Sequence, residues 1–413
     1  MSIHARQAES HLYQLRLLLE ELCCDLCRFE HVVRNDCHPE NVQIDREFPL
    51  GAPGIFADIR VAPEGQQPYF VEVKYGYSND MLQRRLQQKY GPGTPGSASG
   101  SKVVLVLDVD NRSSWTSLAA ELARCLRPGL ELEIWDEQRL FALTRERFRT
   151  DFEAITTENL LNVREAIDRA KGFYAFQGRS FEEYEHDPLK ADLLWHFGFW
   201  RLRQLRERGR LTPRDTLPPG AYRGVAVLLA DLCSFSSYVR DTSDSEIIRE
   251  GLTSFYSKAR YQIINNGGML YQFVGDQVVG FFGIPETNPG YVSKAFATAQ
   301  ALLCIGQSVS NHWQRRIDRV QTSCGLHIGM AVGDMQVVSL RPFDRLHTGA
   351  IGDCINVAAR LMSAASENEI VVSNSFYRKL PEETEEDFRE LEPIEARNVS
   401  RIKAWKLRPH CEP

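Results

Sequence analysis

Two acidic side chains, Asp231 and Asp276, occupy places where carboxylates can act on a substrate. Each lies at the edge of an apolar run patterned like a buried strand, and such runs normally lack charge unless the charge has a role. Asp276 follows Gly275 between two apolar segments, which predicts a tight hairpin turn that presents the acid outward. Mg²⁺ prefers one or two carboxylates together with the phosphates of its substrate. The pair therefore predicts a nucleotide-phosphate site.

Each acid also has an ordinary structural explanation. Asp231 can cap the helix that follows it, and Asp276 can belong to a Gly-Asp turn with no further role. Taken singly, these explanations compete with the phosphate site. Taken together, they must also account for the rest of the C-terminal region.

A further pair, Asn356 and Arg360, lies four residues apart in a segment that predicts a helix. This spacing places both residues on one helical face. One side chain can then reach a sugar while the other, one turn along, reaches a phosphate. Arg341 and Arg345 precede the helix and are candidate contacts for a triphosphate.

The elements that must position these residues alternate between strand and helix from residue 221 to the C-terminus. The hydrophobic pattern predicts helices at 245–265 and 293–317, a hairpin at 269–282, and two strands at 324–333 and 335–340. We interpret residues 221–413 as one domain.

Residues 1–150 predict a separate α/β domain, in which a helix within 1–30 precedes a hairpin made by residues 55–61 and 69–75, with further helices and strands to residue 135. Asp58 lies on the first hairpin strand, and Glu72 and Lys74 on the second. This arrangement resembles the PD-(D/E)xK restriction-endonuclease-like superfamily, in which two acids hold Mg²⁺ and the lysine assists the attacking water. The resemblance implies that α/β fold, and a sensor or regulatory role is favoured over nuclease activity.

Residues 151–220 predict a helical connector. Its apolar residues repeat at three- and four-residue steps, namely Leu189, Leu193, Leu194, Phe197, Leu202 and Leu205. The arginines of 201–210 alternate with Leu and Glu, which is more typical of a solvated helical face than of a nucleic-acid contact. We expect the connector to pack against a second copy and to transmit a state between the two domains.

The composition is that of an ordinary globular chain of 413 residues, 43% hydrophobic and 25% charged. A net charge of -6 argues against general affinity for nucleic acid or an anionic membrane. No apolar run approaches the roughly 18 residues that cross a bilayer, and the polar N-terminus has no signal-peptide pattern. We therefore expect a cytoplasmic protein without a membrane partner.

The ten cysteines are scattered, which suits reduced core thiols better than a disulfide framework. Cys24 and Cys27 form a C-x-x-C pair of the kind found in zinc sites. The segment around them has strong helical periodicity, however, and a closed second ligand pair is missing. A helix is therefore favoured over zinc.

Four motifs of the C-terminal domain resemble those of class III nucleotidyl cyclases, in the family order. They are the segment 224–238, the Gly-Gly…Gly-Asp…Phe-Gly hairpin of 267–283, the Gly-x-x-x-Gly strand of 325–333 and the Gly-x-x-x-Asn-x-x-x-Arg helix of 352–361. The resemblance implies a ferredoxin-like βαββαβ fold. It also implies that Asp231 and Asp276 carry two metal ions, Mg²⁺ or Mn²⁺, with the backbone carbonyl of Leu232 as a further ligand.

The same resemblance implies that Asn356 orients the ribose and that Arg360 stabilises charge on the α-phosphate in the transition state. In the family, each site lies between two subunits, with the metals on one and the Asn/Arg helix on the other. This chain has both halves once. The resemblance therefore implies a head-to-tail homodimer with two equivalent sites.

The sequence departs from the family pattern at the base pocket. Adenylate cyclases of this family usually carry Lys at the place of Gln272 and Asp or Thr at the place of Gly349, and Tyr271 adds bulk beside the pocket. Glutamine both donates and accepts hydrogen bonds, which suits the edge of uracil or cytosine. Drift within an ordinary adenylate cyclase is the alternative. Phe235 and Arg341 complete the candidate substrate contacts.

These substitutions, with the N-terminal domain, resemble the pyrimidine cyclases of the bacterial Pycsar anti-phage system. The resemblance implies conversion of UTP to cyclic UMP and pyrophosphate, an activator derived from the phage and a downstream effector that responds to the product. Conversion of CTP or ATP is an alternative. An alternative of another class is a nucleic-acid-processing protein in which Asp58, Glu72 and Lys74 act and the cyclase-like domain only binds nucleotide.

Overall fold

Two mixed α/β units, residues 1–172 and 173–413, make up the chain in the computed structural model. The structure describes residues 3–35, 37–94, 100–108, 115–152, 154–156, 159–175, 186–340, 347–396 and 399–407. None of the helices in these ranges is both long and apolar enough to span a membrane.

The first unit is organised around a five-stranded sheet with the order β1-β2-β3-β4-β5. Its strands are β1 (Val42–Pro49), β2 (Phe56–Pro63), β3 (Tyr69–Val73), β4 (Lys102–Val106) and β5 (Glu131–Trp135). The first three strands pair antiparallel, and β3, β4 and β5 pair parallel. The structure confirms the predicted β2–β3 hairpin, whereas β1 was not predicted from the sequence.

The helices of the first unit bury apolar faces. They are α1 (Ile3–Phe29), α2 (Asn79–Tyr90), α3 (Trp115–Arg124), α4 (Glu137–Phe148) and α5 (Leu160–Ala175), of which α5 runs across the division between the units. Cys23, Cys24 and Cys27 are at most 1% exposed. They lie among buried leucines of α1, namely Leu15, Leu18, Leu19, Leu22 and Leu26. Burial raises the pKa of all three thiols, which suits small apolar core residues.

The second unit contains an eight-stranded sheet, seven strands of which follow the order β12-β15-β11-β9-β6-β8-β7, while β10 pairs with β9. Its long strands are β6 (Gly220–Leu232), β7 (Met269–Val274), β8 (Gln277–Phe282), β9 (Leu326–Leu340), β10 (His347–Ile351) and β11 (Glu369–Ser373). The neighbours β9-β6-β8-β7 have the strand order of the expected ferredoxin-like βαββαβ unit. Residues 324–340 were predicted as two strands, but the backbone runs on as the single strand β9.

The sheet of the second unit is covered on both faces by helices. They are α6 (Pro188–Glu207), α7 (Pro213–Thr216), α8 (Phe235–Asp241), α9 (Ser245–Asn265), α10 (Tyr291–Ile317), α11 (Asp353–Ala364) and α12 (Asn374–Tyr377). One face packs mainly against α9 and α10. The other face, which we call the α11 face, packs against α6 and α11 through the alternate residues Val225, Val227 and Leu229 of β6.

The C-terminal part of the predicted connector, α6, therefore contributes to the core of the second unit. Five of its predicted apolar residues are at most 2% exposed, namely Leu189, Leu193, Phe197, Leu202 and Leu205. The helix is broken at Gly198, whose φ of 70° and ψ of 170° lie outside helical values. A Cβ at Gly198 would come within 2.8 Å of Ile264 Cδ1, so glycine also permits the close approach to α9.

Four strands lie in the last part of the described chain. They are β12 (Phe388–Glu390), β13 (Ile394–Ala396) and β14 (Val399–Ile402), and the final strand β15 (Ala404–Leu407) joins the main sheet between β12 and β11. Strands β13 and β14 form a separate two-stranded sheet.

Candidate active site

The two aspartates singled out in the sequence meet where the central strand β6 ends. Asp231 is the second-last residue of β6, and Ala230 before it pairs with Val278 of β8. Asp276 lies in the turn that leads into β8, so the register brings it beside Asp231. Because side chains alternate along a strand, Asp231 points to the same α11 face as Leu229.

The turn has the geometry expected of a tight hairpin. Val274 pairs with Gln277, which leaves Gly275 and Asp276 as the two loop residues. Gly275 has a φ of 63°, which favours glycine at the first loop position, as in a type II′ turn. The sequence prediction of a tight Gly-Asp turn is confirmed, and the acid is turned toward Asp231.

The electrostatics of the pair are those of two acids in one site. Burial and, next, the charge of Asp231 raise the pKa of Asp276 to about 7. Burial also raises the pKa of Asp231, and a hydrogen bond from protonated Asp276 partly offsets this effect. The backbone N–H of Leu232 donates to the Asp276 carboxyl group. Below neutral pH the pair therefore holds a proton between its two carboxyl groups.

This pair fits a divalent cation. Two carboxylates that repel each other are stabilised when a cation replaces the proton they share, and hard cations such as Mg²⁺ and Mn²⁺ favour oxygen ligands. Asp231 and Asp276 would hold such an ion. The contact of Leu232 with the Asp276 carboxyl group is made by its N–H. The Leu232 carbonyl as a further metal ligand stays a prediction from the resemblance.

The helix α11 lies close to the sheet because two glycines of β9 leave room for it. A Cβ at Gly329 would come within 2.1 Å of the Ala358 carbonyl oxygen, and one at Gly333 within 2.9 Å of Cys354 Cβ. Residues four apart on a strand share a face. The Gly-x-x-x-Gly spacing therefore provides a groove for α11.

The predicted pair on α11 points away from this groove. Cys354, Ala358 and Leu361 are buried against the sheet, whereas Asn356 and Arg360 are exposed, which confirms that the latter share a face. Within the described part of the chain, neither side chain forms a hydrogen bond or an ion pair. An exposed arginine without an anionic partner is suited to an anion supplied from elsewhere.

The residues predicted to contact a base are brought together only in part. Tyr271 Oη accepts a hydrogen bond of 3.2 Å from the backbone N–H of Ala350, the neighbour of Gly349. The Tyr271 ring also packs on Phe281, with centroids 4.9 Å apart. Gln272 follows Tyr271 beyond a bulge in β7 and is partly exposed.

Two further predicted contacts lie elsewhere or cannot be described. Phe235, the first residue of α8, packs edge-on against Trp313 with centroids 6.0 Å apart. It therefore contributes to a cluster of apolar side chains with Tyr238 and Trp313. Arg341 and Arg345 lie outside the described residues.

The first unit brings the other predicted set, Asp58, Glu72 and Lys74, into one buried cluster. Lys74 Nζ bonds to Asp58 Oδ2 and lies 2.7 Å from Glu72 Oε2. Lys89 Nζ lies 2.6 Å from the same Glu72 oxygen, and Tyr90 donates to the other at 2.5 Å. Glu72 is 0% exposed.

This cluster does not fit the Mg²⁺ implied by the restriction-endonuclease resemblance. Two ammonium groups already neutralise the two carboxylates, and the lysine charges hold the pKa of Asp58 below its usual range against the opposing effect of burial. A cation would have to displace both lysines. We therefore derive no hydrolytic step from these residues.

The sequence did not predict a role for one residue beside the Gly275–Asp276 turn. Tyr256 of α9 donates a hydrogen bond to the carbonyl of Gly275 and stacks on Phe273. Helical periodicity shows that α9 is amphipathic, but it does not show which side chain reaches a turn 19 residues later.

Known proteins match the C-terminal part of the chain. Residues 217–408 match the family described as the adenylate and guanylate cyclase catalytic domain. An adenylate cyclase of Mycobacterium tuberculosis is 25% identical over 227 residues, which are 54% of this chain and 47% of that protein. The chain thus spans about half the length of the curated relatives it matches. The family match lies within the C-terminal domain and supports a class III nucleotidyl cyclase catalytic domain there.

Solved cyclase structures also resemble this domain. The guanylyl cyclase Cya2 is 20% identical, with 46% of this chain and 93% of that chain covered and a TM-score of 0.41. The adenylyl cyclase CyaB from P. aeruginosa is 22% identical, with 47% and 98% covered and a TM-score of 0.39.

Proposed function

We propose that the C-terminal domain is a nucleotidyl cyclase. It converts a nucleoside triphosphate, preferentially UTP, to its 3′,5′-cyclic monophosphate and pyrophosphate. The observation that carries this proposal is the Asp231–Asp276 pair on the α11 face. A protein that only bound nucleotide would have no need for two confronted carboxylates and an exposed arginine on the neighbouring helix.

In the reaction, the 3′-oxygen loses its proton to solvent and forms a bond to the α-phosphorus, while the bond from that phosphorus to the pyrophosphate oxygen breaks. Bound Mg²⁺ or Mn²⁺, two per site, supplies positive charge that makes the hydroxyl more acidic and neutralises the triphosphate. Asp231 and Asp276 hold that charge in place. Arg360 stabilises the negative charge that develops at the α-phosphate, and Asn356 orients the ribose.

We further propose that the site forms between two copies of the chain. Arg360 and Asn356 are exposed and make no polar contact within the described ranges, although they belong to the domain that holds the aspartates. A second copy placed head to tail would bring its own carboxylates to them. This arrangement has twofold symmetry and gives two equivalent sites.

Preference for a pyrimidine follows from the contents of the base pocket. The Tyr271 hydroxyl accepts from Ala350 N–H, so its own proton remains available to a base oxygen, and the bulky ring occupies space beside Gly349. Gln272 can donate to O4 and accept from N3–H of uracil. CTP is the closest variant of this proposal, because cytosine offers the complementary pattern to the same amide.

ATP is the second candidate substrate. The observation in its favour is that the curated relatives matched by the chain include adenylate cyclases at 25% identity. A pocket with Gln272 in place of a lysine would then reflect drift at a position that adenine tolerates.

The proposed product also indicates a cellular role. A cyclic pyrimidine nucleotide suits a second messenger, and we propose that it activates a separate effector in anti-phage defence after a phage-derived signal. We assign the first unit, whose sheet and α2 surround the Asp58 cluster, a restriction-endonuclease-like fold with a sensing rather than a cleaving role.

The experiment that tests the proposed function is incubation of the purified full-length protein with ATP, GTP, CTP and UTP separately, each with Mn²⁺. Mass spectrometry identifies any cyclic product. We expect cyclic UMP as the main product and none from protein carrying Asp276→Asn. A main product of cyclic AMP would establish the second candidate, and the absence of any cyclic product would contradict the assignment.

A further inference from the structure

Three aromatic rings pack together at the hairpin that carries Asp276. Phe273 of β7 stacks on Tyr256 of α9, with centroids 4.0 Å apart and planes 14° from parallel. Trp195 of α6 meets Phe273 edge-on, with centroids 6.0 Å apart. The stack therefore joins α6, β7 and α9 at the strand that leads into the metal turn.

The same stack is bonded to the turn itself. Tyr256 Oη donates to the carbonyl oxygen of Gly275, the residue before Asp276. Gly275 is exposed and Val274 before it is 53% exposed, so packing does little to fix the backbone that leads to Asp276. Glycine also allows the backbone more freedom than any other residue. A hydrogen bond from the neighbouring helix is therefore an external restraint on the peptide adjoining Asp276.

The other end of the stack is fixed by Arg260 of α9. Its guanidinium donates to the backbone carbonyls of Leu194 at 2.8 Å and Trp195 at 3.1 Å, and it lies 5.3 Å from the Trp195 ring centroid. The break at Gly198 interrupts the helical hydrogen bonds of the preceding turn of α6. Arg260 satisfies the carbonyls there and holds the indole in place.

We infer that Tyr256 is a positioning residue for the Asp276 carboxylate, and that Trp195 extends this support to α6. A movement of α6 would change the Trp195–Phe273 contact and, through Tyr256, the turn. The inference rests on the proposed function only in treating Asp276 as a metal ligand. It gives the helix before the catalytic domain a physical connection to the metal site.

The test measures Mn²⁺ binding to the full-length protein without nucleotide, by the decrease of the free-Mn²⁺ EPR signal. Tyr256→Phe keeps the stacked ring and removes one hydrogen bond, so we expect about 3- to 10-fold weaker Mn²⁺ binding. The matched control is Tyr291→Phe, which removes the 2.5 Å hydrogen bond from Tyr291 Oη to the carbonyl of Gly224, eight residues before the end of β6. Its Mn²⁺ affinity should equal that of the wild type.

A second arm tests the contribution of α6. Trp195 is 51% exposed, so Trp195→Ala should fold, and we expect it to weaken Mn²⁺ binding in the same direction while Trp195→Phe largely retains it. Leu211→Ala, at a 55% exposed apolar residue outside the stack, is the control for loss of surface area and should bind as the wild type does. Unchanged affinity in Trp195→Ala would overturn the link to α6.

The outcomes separate this inference from the proposed function. Wild-type affinity in Tyr256→Phe, or an equal loss in Tyr291→Phe, would overturn the positioning role. Weaker Mn²⁺ binding in Tyr256→Phe alone, together with no cyclic product from any triphosphate, would support the positioning role and contradict the cyclase assignment. A wild-type protein that binds no Mn²⁺ would overturn both.

Discussion

The Asp231–Asp276 pair makes stability depend on pH in the metal-free protein. Since the pKa of Asp276 is raised to about 7, the folded state binds more protons than the unfolded state between about pH 4 and pH 7. The contribution of this group to the free energy of unfolding therefore falls as pH rises through that window. The Asp276→Asn variant has no charge at residue 276, so it lacks the repulsion with the Asp231 carboxylate at every pH.

We predict that, in EDTA, the melting temperature of Asp276→Asn rises relative to that of the wild type as pH increases from 4 to 7. Above pH 7, added Mn²⁺ should raise the melting temperature of the wild type above that of Asp276→Asn, because only the wild type gains a bound cation. Differential scanning calorimetry of both proteins measures the two effects. A difference in melting temperature that is independent of pH and of Mn²⁺ would remove the metal assignment.

The base preference has its own residue-level test in Gln272→Lys. Lysine cannot accept a hydrogen bond from N3–H of uracil, and an unsatisfied buried group costs about 1–3 kcal/mol, so kcat/KM for UTP should fall about 5- to 150-fold relative to that for ATP. The control is Gln336→Lys, which adds the same charge at an exposed residue of β9. An unchanged ratio of kcat/KM values would rule out the pyrimidine assignment of Gln272.

The position of α11 depends on the surface of β9, which gives a prediction for that helix. Gly329→Ala would place a Cβ 2.1 Å from the Ala358 carbonyl and must displace backbone, whereas Gly333→Ala meets a side-chain carbon at 2.9 Å. We expect a loss of about 1–3 kcal/mol in unfolding free energy for Gly329→Ala. Cyclase activity should fall about 100-fold as Asn356 and Arg360 shift.

Urea unfolding and steady-state kinetics of the two alanine variants check this prediction. Gly333→Ala should show the same changes to a smaller extent, since its Cβ would meet Cys354 Cβ at 2.9 Å, a less severe overlap than 2.1 Å. Full activity in Gly329→Ala would mean that the approach of α11 to the sheet is not needed for the site.

The buried cluster of the first unit allows a test that does not depend on catalysis. Lys74→Met leaves the fully buried Glu72 with one fewer cation, and we expect a loss of about 3–5 kcal/mol in unfolding free energy. Lys102→Met breaks an ion pair with Glu133 whose side chains are 28% and 30% exposed, and should cost less than about 1 kcal/mol. Equal losses in the two variants would show that the cluster does not stabilise the unit.

Much of the second unit followed from local patterns in the sequence. The β7–β8 hairpin, α9, α10 and the exposed face of α11 agree with their predictions because periodicity and Gly-Asp turn chemistry are local properties. The single strand β9 did not agree with its prediction. Gly333 is the predicted end of a first strand, although in the structure it lies within β9 and packs beneath α11. The strand β1 was missed for a similar reason, because its pairing with β2 is a tertiary contact.

The candidate site was predictable where residue type and spacing define it, but not where it depends on how helices dock. The aspartates and the Asn/Arg pair are identified by residue type and spacing, and the structure brings the aspartates together. The packing of α6 on the α11 face and the reach of Tyr256 to Gly275 depend on how helices dock, which single-sequence patterns do not specify. The ion pair between Glu72 and Lys89 of α2 could not be predicted from the sequence either.

For the whole molecule, we propose that two copies of the chain build each cyclase site. The most direct test mixes two inactive full-length proteins, Asp231→Ala and Arg360→Ala, under conditions in which subunit exchange is demonstrated. A mixed dimer rebuilds one intact site from the unaltered aspartates of one copy and the unaltered arginine of the other. Random pairing of equal amounts makes half the dimers mixed, so we predict about a quarter of wild-type cyclic nucleotide formation. No recovery despite exchange would contradict a site shared between subunits.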